Sequence, residues 1–121
     1  MPFFGDGSSG RDYTYVDDIV AGVLAAVDCE LPFAFGATPF EIFNLGNSRP
    51  VTLTELVRLM EAALGRKMQL DPKPPQLGDL PLTWADISKA RRLLGYQPKT
   101  SIEEGLRRFV QSYRRARAAR A

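Results

Sequence analysis

Ile19, Val20, Val23, Leu24 and Val27 recur at the three- and four-residue spacing of a helix, behind the acidic pair Asp17 and Asp18. Acidic side chains suit a helix N-terminus, so a helix is predicted over 18–27 with those five apolar residues as one buried face. A second stripe, Leu53, Leu56, Val57, Met60 and Leu64, is the best specified. Thr52 and Glu55 form a capping box ahead of it, Val51 staples Leu56, and Gly65 stands where a C′ glycine ends a helix. A short helix follows Asp86 as its cap, with Ile87, Ala90, Leu93 and Leu94 inward and Gly95 and Pro98 as stops. The last helix opens on a second capping box, Ser101 with Glu104, and aligns Ile102, Leu106, Phe109, Val110 and Tyr113 on one face.

Strand patterns are short. Residues 11–16 are aromatic and β-branched, which suits a pleated strand. Residues 1–4 form another, and the glycine-rich turn at 5–10 is expected to fold it back on 11–16 as a hairpin. Residues 41–45 read as a compact strand closed by a turn at Gly46, Asn47 and Ser48, and 67–70 as a further one. Pro32, Gly36 and Pro39 break the pattern into a loop over 29–40, whose Phe33, Phe35 and Phe40 pack locally or line a contact with a partner. Pro72, Pro74 and Pro75 are expected to exclude regular structure over 71–79. About four helices with three or four short strands make the class mixed α/β, in a single domain over 1–121.

Composition narrows the function classes. The chain has 121 residues and a net charge of +2, enough for one core without disulfides. Its one cysteine, Cys29, fits a reducing compartment, and with no histidine to activate it a catalytic thiol is not expected. No apolar run is long enough to span a membrane, and the chain is read as cytoplasmic. Arg107, Arg108, Arg114, Arg115, Arg117 and Arg120 crowd the end, with 114–121 as a basic tail. Favourable interaction with the helix dipole explains such a cluster better than nucleic-acid binding, since no basic stripe or nucleic-acid motif occurs elsewhere.

The stretch GDGSSGRDYTYVDDIV joins a glycine turn, a strand and a helix start, with Arg11 just past the turn. Alone, Arg11 could be a solvated charge. The stretch resembles the G-D-G-x-x-x-R-D-[FY]-x-[YH]-V-x-D motif of the extended short-chain dehydrogenases, the family of NAD-dependent nucleotide-sugar epimerases and dehydratases. The resemblance continues through FNLGNSRPVTLTELVRLMEAALGRK and reaches about Tyr113. It implies the C-terminal, substrate-binding part of a Rossmann-type enzyme, in which Arg11 contacts the diphosphate of a UDP- or dTDP-sugar; a planar guanidinium can hold two phosphate oxygens at once. Tyr13 is balanced between a core ring and a hydroxyl reaching phosphate, while Tyr15 is read as out of phase with it and expected on the opposite side. Asp17 and Asp18 are read as helix caps.

A second stretch runs Gln76-x-Gly78-Asp79-x-Pro81-x-Thr83-x-Ala85-Asp86-x-Ser88-Lys89-Ala90. By spacing alone it is a helix lead-in with a solvated Asp79. It is similar to the family's Q/R-x-G-D-x-P-x-x-x-A-D-x-[ST]-K-A segment, which implies that Asp79 contacts the nucleotide's ribose, a diol that a carboxylate suits as acceptor. Gln76 replaces the arginine of galactose-type epimerases and is similar to the UDP-glucuronate branch, weakening one phosphate contact. Thr83 stands where some members carry an aromatic beside the sugar, which implies a roomier pocket.

The dinucleotide glycine fingerprint is missing from this sequence, and the residues four after Tyr13, Tyr15, Tyr96 and Tyr113 are Asp17, Ile19, Thr100 and Arg117, so no Tyr-x-x-x-Lys pair occurs. The resemblance therefore implies NAD in the full-length family, no cofactor in this chain, and inactivity of the chain by itself. The reading is the UDP-sugar-binding portion of a UDP-glucose or UDP-glucuronate 4-epimerase, whose N-terminal Rossmann portion is its partner. A free-standing nucleotide-sugar-binding module, or a module that self-associates through the exposed docking face, is the alternative.

Overall fold

The computed structural model describes residues 1–30 and 40–120, so most of the predicted 29–40 loop, with Phe33 and Phe35, lies outside the described residues. Among the described residues four helices form, as the periodicity predicts: α1 (Val16–Val27), α2 (Leu53–Leu64), α3 (Ser88–Leu94) and α4 (Ile102–Ala118). The same residues form five strands of two or three residues: β1 (Pro2–Phe4), β2 (Gly10–Arg11), β3 (Val51–Thr52), β4 (Asp71–Lys73) and β5 (Leu82–Thr83). The class is mixed α/β.

The predicted hairpin does not form. β1 pairs in parallel with β4, whereas β2 lies in a separate sheet of order β3-β2-β5, antiparallel to β3 and parallel to β5. Gly5 (φ +67°) and Gly7 (φ +81°) turn the chain from one sheet into the other, a path residues with a Cβ would resist. β4 also corrects the expectation that prolines exclude structure there. Its ladder uses Asp71 N to Met1 O (2.8 Å) and Gly5 N to Lys73 O (3.0 Å), so Pro72 sits where no donor is required. The strands expected over 41–45 and 67–70 are not regular; Lys89 Nζ holds the first by bonding Ile42 O at 2.8 Å and pairing with Glu41.

Ile87, Ala90 and Tyr96 form a core packed by Phe43, Leu45, Ala85 and Leu94. Val57 and Leu59 of α2 are buried with Leu106 and Val110 of α4, and the two helices pack together. Two of the three predicted N-caps work, with Thr52 Oγ1 accepting from Glu55 N at 3.2 Å and Ser101 Oγ from Glu104 N at 3.3 Å. The Glu55 side chain turns instead to Arg58. The third predicted cap does not form: the N-cap of α3 is Ile87, and Asp86, one residue earlier, accepts Ser88 N at 2.9 Å in a local turn. Gly65 and Gly95 end α2 and α3 in the left-handed conformation.

α1 departs most from expectation. Val20, Val23, Leu24 and Val27 are exposed, Val27 by 75%. The face that turns inward carries Asp18 and Gly22 and meets α3. Gly22 permits that approach: a Cβ there would lie 2.8 Å from both Leu45 methyls and 3.0 Å from the Tyr96 ring. The helix therefore buries its small and polar side and leaves its apolar side unpartnered among the described residues. Leu93, Phe109 and Tyr113, assigned inward by periodicity, are also exposed.

Candidate functional site

The middle strand of the three-stranded sheet positions Arg11. Gly10 precedes it because a Cβ there would approach Leu82 Cδ1 to 2.7 Å, and Gly10 N donates to Pro81 O at 2.8 Å. The register sets Arg11 beside Thr83. One arm of the guanidinium, Nη1, donates to Gly10 O at 2.7 Å. The other, Nη2, forms an ion pair with Asp79 Oδ1. Asp79 comes from the 76–81 loop, where Gly78 takes φ +83° and Asp79 N donates to Gln76 O at 3.2 Å.

The pair lies between two grooves. Asp79 and Gln76 line one of about 540 Å³, together with Phe4, Gly5, Ser8 and Pro81. Arg11, Tyr13 and Thr83 line another of about 720 Å³, with Phe43, Asn44 and Trp84. All five predicted residues thus face this region, divided between the grooves, and of their side chains Arg11 and Asp79 are the two that bond each other. Tyr13 is half-buried and lines both the second groove and an apolar groove against α4 that Tyr15, Leu106 and Phe109 also line. Tyr15 turns to α4, where the Arg108 guanidinium lies 5.4 Å from its ring and Gly105 leaves room for it.

Asp12 is the residue that sequence reasoning missed. Its carboxylate accepts Ser48 N (2.9 Å), Arg49 N (3.2 Å) and Ala85 N (3.2 Å). One side chain so fixes the exit of β2, the turn before β3 and the exit of β5. Gly46 completes the contact, since a Cβ there would come within 2.6 Å of Asp12 Oδ2 and of Ala85 Cβ. Ser48, at φ 57°, takes a left-handed conformation within the same turn. The signal lay in the Arg-Asp dipeptide: a carboxylate at a strand exit is a ready acceptor for loop N–H groups. Trp84, 58% exposed beside Arg11 and Thr83, was also passed over, since apolar periodicity does not single out an aromatic between helices.

Asp18 does not cap its own helix, whose N-cap is Tyr15 without a side-chain bond. Its carboxylate, 8% exposed, accepts Lys99 N and Thr100 N at 3.0 Å each, tying α1 to the segment that enters α4. Burial pushes this carboxyl up, but those two N–H bonds, the Thr100 hydroxyl and the Arg108 charge outweigh it and hold the group below its usual range. Tyr96 sits behind it, its hydroxyl donating to Gly46 O at 3.0 Å. Burial, then the Asp18 and Asp12 charges, push that phenol up.

Among the described residues no cluster of His, Cys, Asp and Glu could hold a metal, and no helix is long and apolar enough to cross a membrane. The arginine cluster is partly structural. Arg114 Nη2 donates to Leu64 O at 2.9 Å at the end of α2, and Arg107 and Arg108 pair with Glu104. α4 extends to Ala118, so most of the predicted 114–121 tail is helical.

The GDP-mannose 4,6 dehydratase family model matches residues 1–109. UDP-glucuronate 4-epimerase of Thermodesulfobacterium geofontis is 40% identical over 111 residues, covering 91% of this chain and 32% of that protein. The crystal structure of Thermotoga maritima UDP-glucose 4-epimerase with UDP-glucose superposes with a TM-score of 0.81 at 36% identity, over 96% of this chain and 35% of its own. That of a Bacillus cereus UDP-glucuronic acid 4-epimerase, bound to a fluorinated UDP-glucuronic acid and NAD, gives 0.76 at 32% identity, over 88% and 32%. The chain thus spans about a third of the length of these relatives. With the match running through α1, both sheets, α2, α3 and the first half of α4, the chain belongs to the GDP-mannose 4,6 dehydratase family.

Proposed function

We propose that this chain is the UDP-sugar-binding portion of an NAD-dependent 4-epimerase acting on UDP-glucose or UDP-glucuronate. The observation that carries the reading is the convergence of Arg11 and Asp79, 68 residues apart in sequence, at the boundary between two grooves. In this reading the nucleoside occupies the groove beside Gln76 and Asp79. The diphosphate crosses at Arg11, and the sugar lies in the groove with Tyr13, Thr83 and Trp84. The guanidinium neutralises diphosphate charge bidentately, and the Asp79 carboxylate accepts from ribose hydroxyls.

The chain's own residues do not fit NAD: the glycine fingerprint and the Tyr-x-x-x-Lys pair are missing from its sequence. Hydride transfer at the sugar's C4 is therefore assigned to a Rossmann portion of the parent enzyme, in the cytoplasm. The α1 face is the docking surface for that portion. Val16, Val20, Val23, Leu24 and Val27 form an exposed apolar stripe on the same helix that carries the buried Asp18 anchor. In its absence the same stripe drives self-association of the chain.

Calorimetric titration of UDP-glucuronate and UDP-glucose into the chain, beside an Arg11→Ala variant, tests the reading. Micromolar binding that Arg11→Ala weakens at least tenfold supports it. Equal binding by both proteins overturns the role of Arg11.

A further inference from the structure

The ion pair itself points beyond phosphate binding. Arg11 carries five N–H donors, of which Nη1 serves Gly10 O and Nη2 serves Asp79. The partners are 30% and 43% exposed at their side chains, so the pair is reached by solvent from the grooves. Asp79 belongs to a loop whose described hydrogen bonds are few: the Asp79 N to Gln76 O turn, and Gly10 N to Pro81 O where the loop re-enters the sheet. Residues 77–80 are exposed, Leu77 and Leu80 prominently so. The side-chain tie from Asp79 to Arg11 is therefore the main restraint on this loop. It also places a carboxylate where the phosphate of the proposed ligand would sit.

We propose that Asp79 acts as an internal anion that latches the 76–81 loop onto Arg11 and that is displaced when a nucleoside diphosphate binds. The inference rests on the UDP-sugar reading and adds a source of selectivity to it. A ligand that offers phosphates alone must take Arg11 from Asp79 and leaves the carboxylate without a partner. A nucleoside diphosphate replaces both ends of the pair together, giving Arg11 its phosphates and Asp79 a ribose diol. The latch so discriminates against bare polyphosphate anions while costing a nucleotide little. A half-exposed ion pair contributes modestly, so the discrimination expected from it is about two- to fivefold.

Two measurements on the full chain test this. In the first, hydrogen exchange of the 76–82 amides is followed without ligand in wild type, Asp79→Asn, Arg11→Ala and the double variant, with melting temperatures checked alongside. The latch predicts faster exchange confined to this loop in each single variant, and no further gain in the double variant. In the second, inorganic pyrophosphate and UDP are titrated into wild type and Asp79→Asn. The latch predicts that Asp79→Asn binds pyrophosphate about two- to fivefold more tightly while losing affinity for UDP. Unchanged loop exchange in the single variants, or pyrophosphate binding that Asp79→Asn leaves equal or weakens, overturns the latch. The UDP arm reports separately on the nucleotide reading. UDP bound by wild type without the pyrophosphate gain in the variant refutes the latch alone. The pyrophosphate gain without UDP binding supports the latch and refutes the nucleotide reading.

Discussion

Replacing Asp18 with asparagine removes one charge and keeps the shape, so its effect isolates what that carboxylate does. In the native chain Oδ1 accepts Lys99 N and Oδ2 accepts Thr100 N, both at 3.0 Å and both on a residue only 8% exposed. The asparagine side chain would keep one acceptor oxygen and turn an NH₂ group toward the other N–H. That buried donor is left without a partner, a loss of about 1–3 kcal/mol, and the surviving bond loses its charge assistance, roughly 1 kcal/mol more. A total near 3 kcal/mol, at about 4 °C per kcal/mol for a chain of this size, lowers the melting temperature by about 12 °C at pH 7. The pH dependence has a definite sign. The folded carboxyl is held below its usual range, so its contribution is complete above the unfolded value of about 4 and fades as pH falls through the folded one. Thermal melts by circular dichroism at pH 7 and pH 3 should therefore show a large gap between wild type and Asp18→Asn at the higher pH and a smaller one at the lower. A gap below about 2 °C at pH 7, or one that widens in acid, would refute the reasoning.

Two further outcomes follow from packing. Gly22→Ala forces Leu45 and the Tyr96 ring to move, since both lie within 3.0 Å of the new Cβ; despite alanine's better helix propensity, a loss of about 1–3 kcal/mol is expected in urea denaturation. Val23→Lys with Val27→Lys alters side chains exposed by 50% and 75%, so the melting temperature should hold within about 2 °C while light scattering shows less self-association; unchanged association would remove α1 as the docking surface.

Local chemistry was legible where it is self-contained. The capping residues Thr52 and Ser101 and the stop glycines Gly65 and Gly95 act at positions set by a few neighbouring residues, and the structure places each as expected. Long-range pairing was not legible. Residues 1–4 and 11–16 looked like a hairpin because they flank a glycine turn, but the partner of β1 is β4, some seventy residues on, and lies in a stretch that prolines disguise. α1 misled for a different reason. Its apolar stripe is real, but periodicity says only that a face needs a partner, not that the same chain supplies one. Asp18 was read as a cap because a helix start suits acids, and its actual partners, Lys99 and Thr100, are 81 and 82 residues away. At the site, resemblance picked out Arg11 and Asp79 but nothing in the spacing announced that they meet; Asp12, between two better-known neighbours, holds more backbone than either.

The central claim is that a UDP-sugar lies across the Arg11 and Asp79 boundary, and mapping amide chemical-shift changes on adding UDP-glucuronate tests it most directly. The account predicts changes concentrated in residues 4–13, 43–46 and 73–85, the segments that supply the lining of the two grooves, and lost together in Arg11→Ala. Changes centred on the arginines of α4, or none at millimolar ligand, would contradict it.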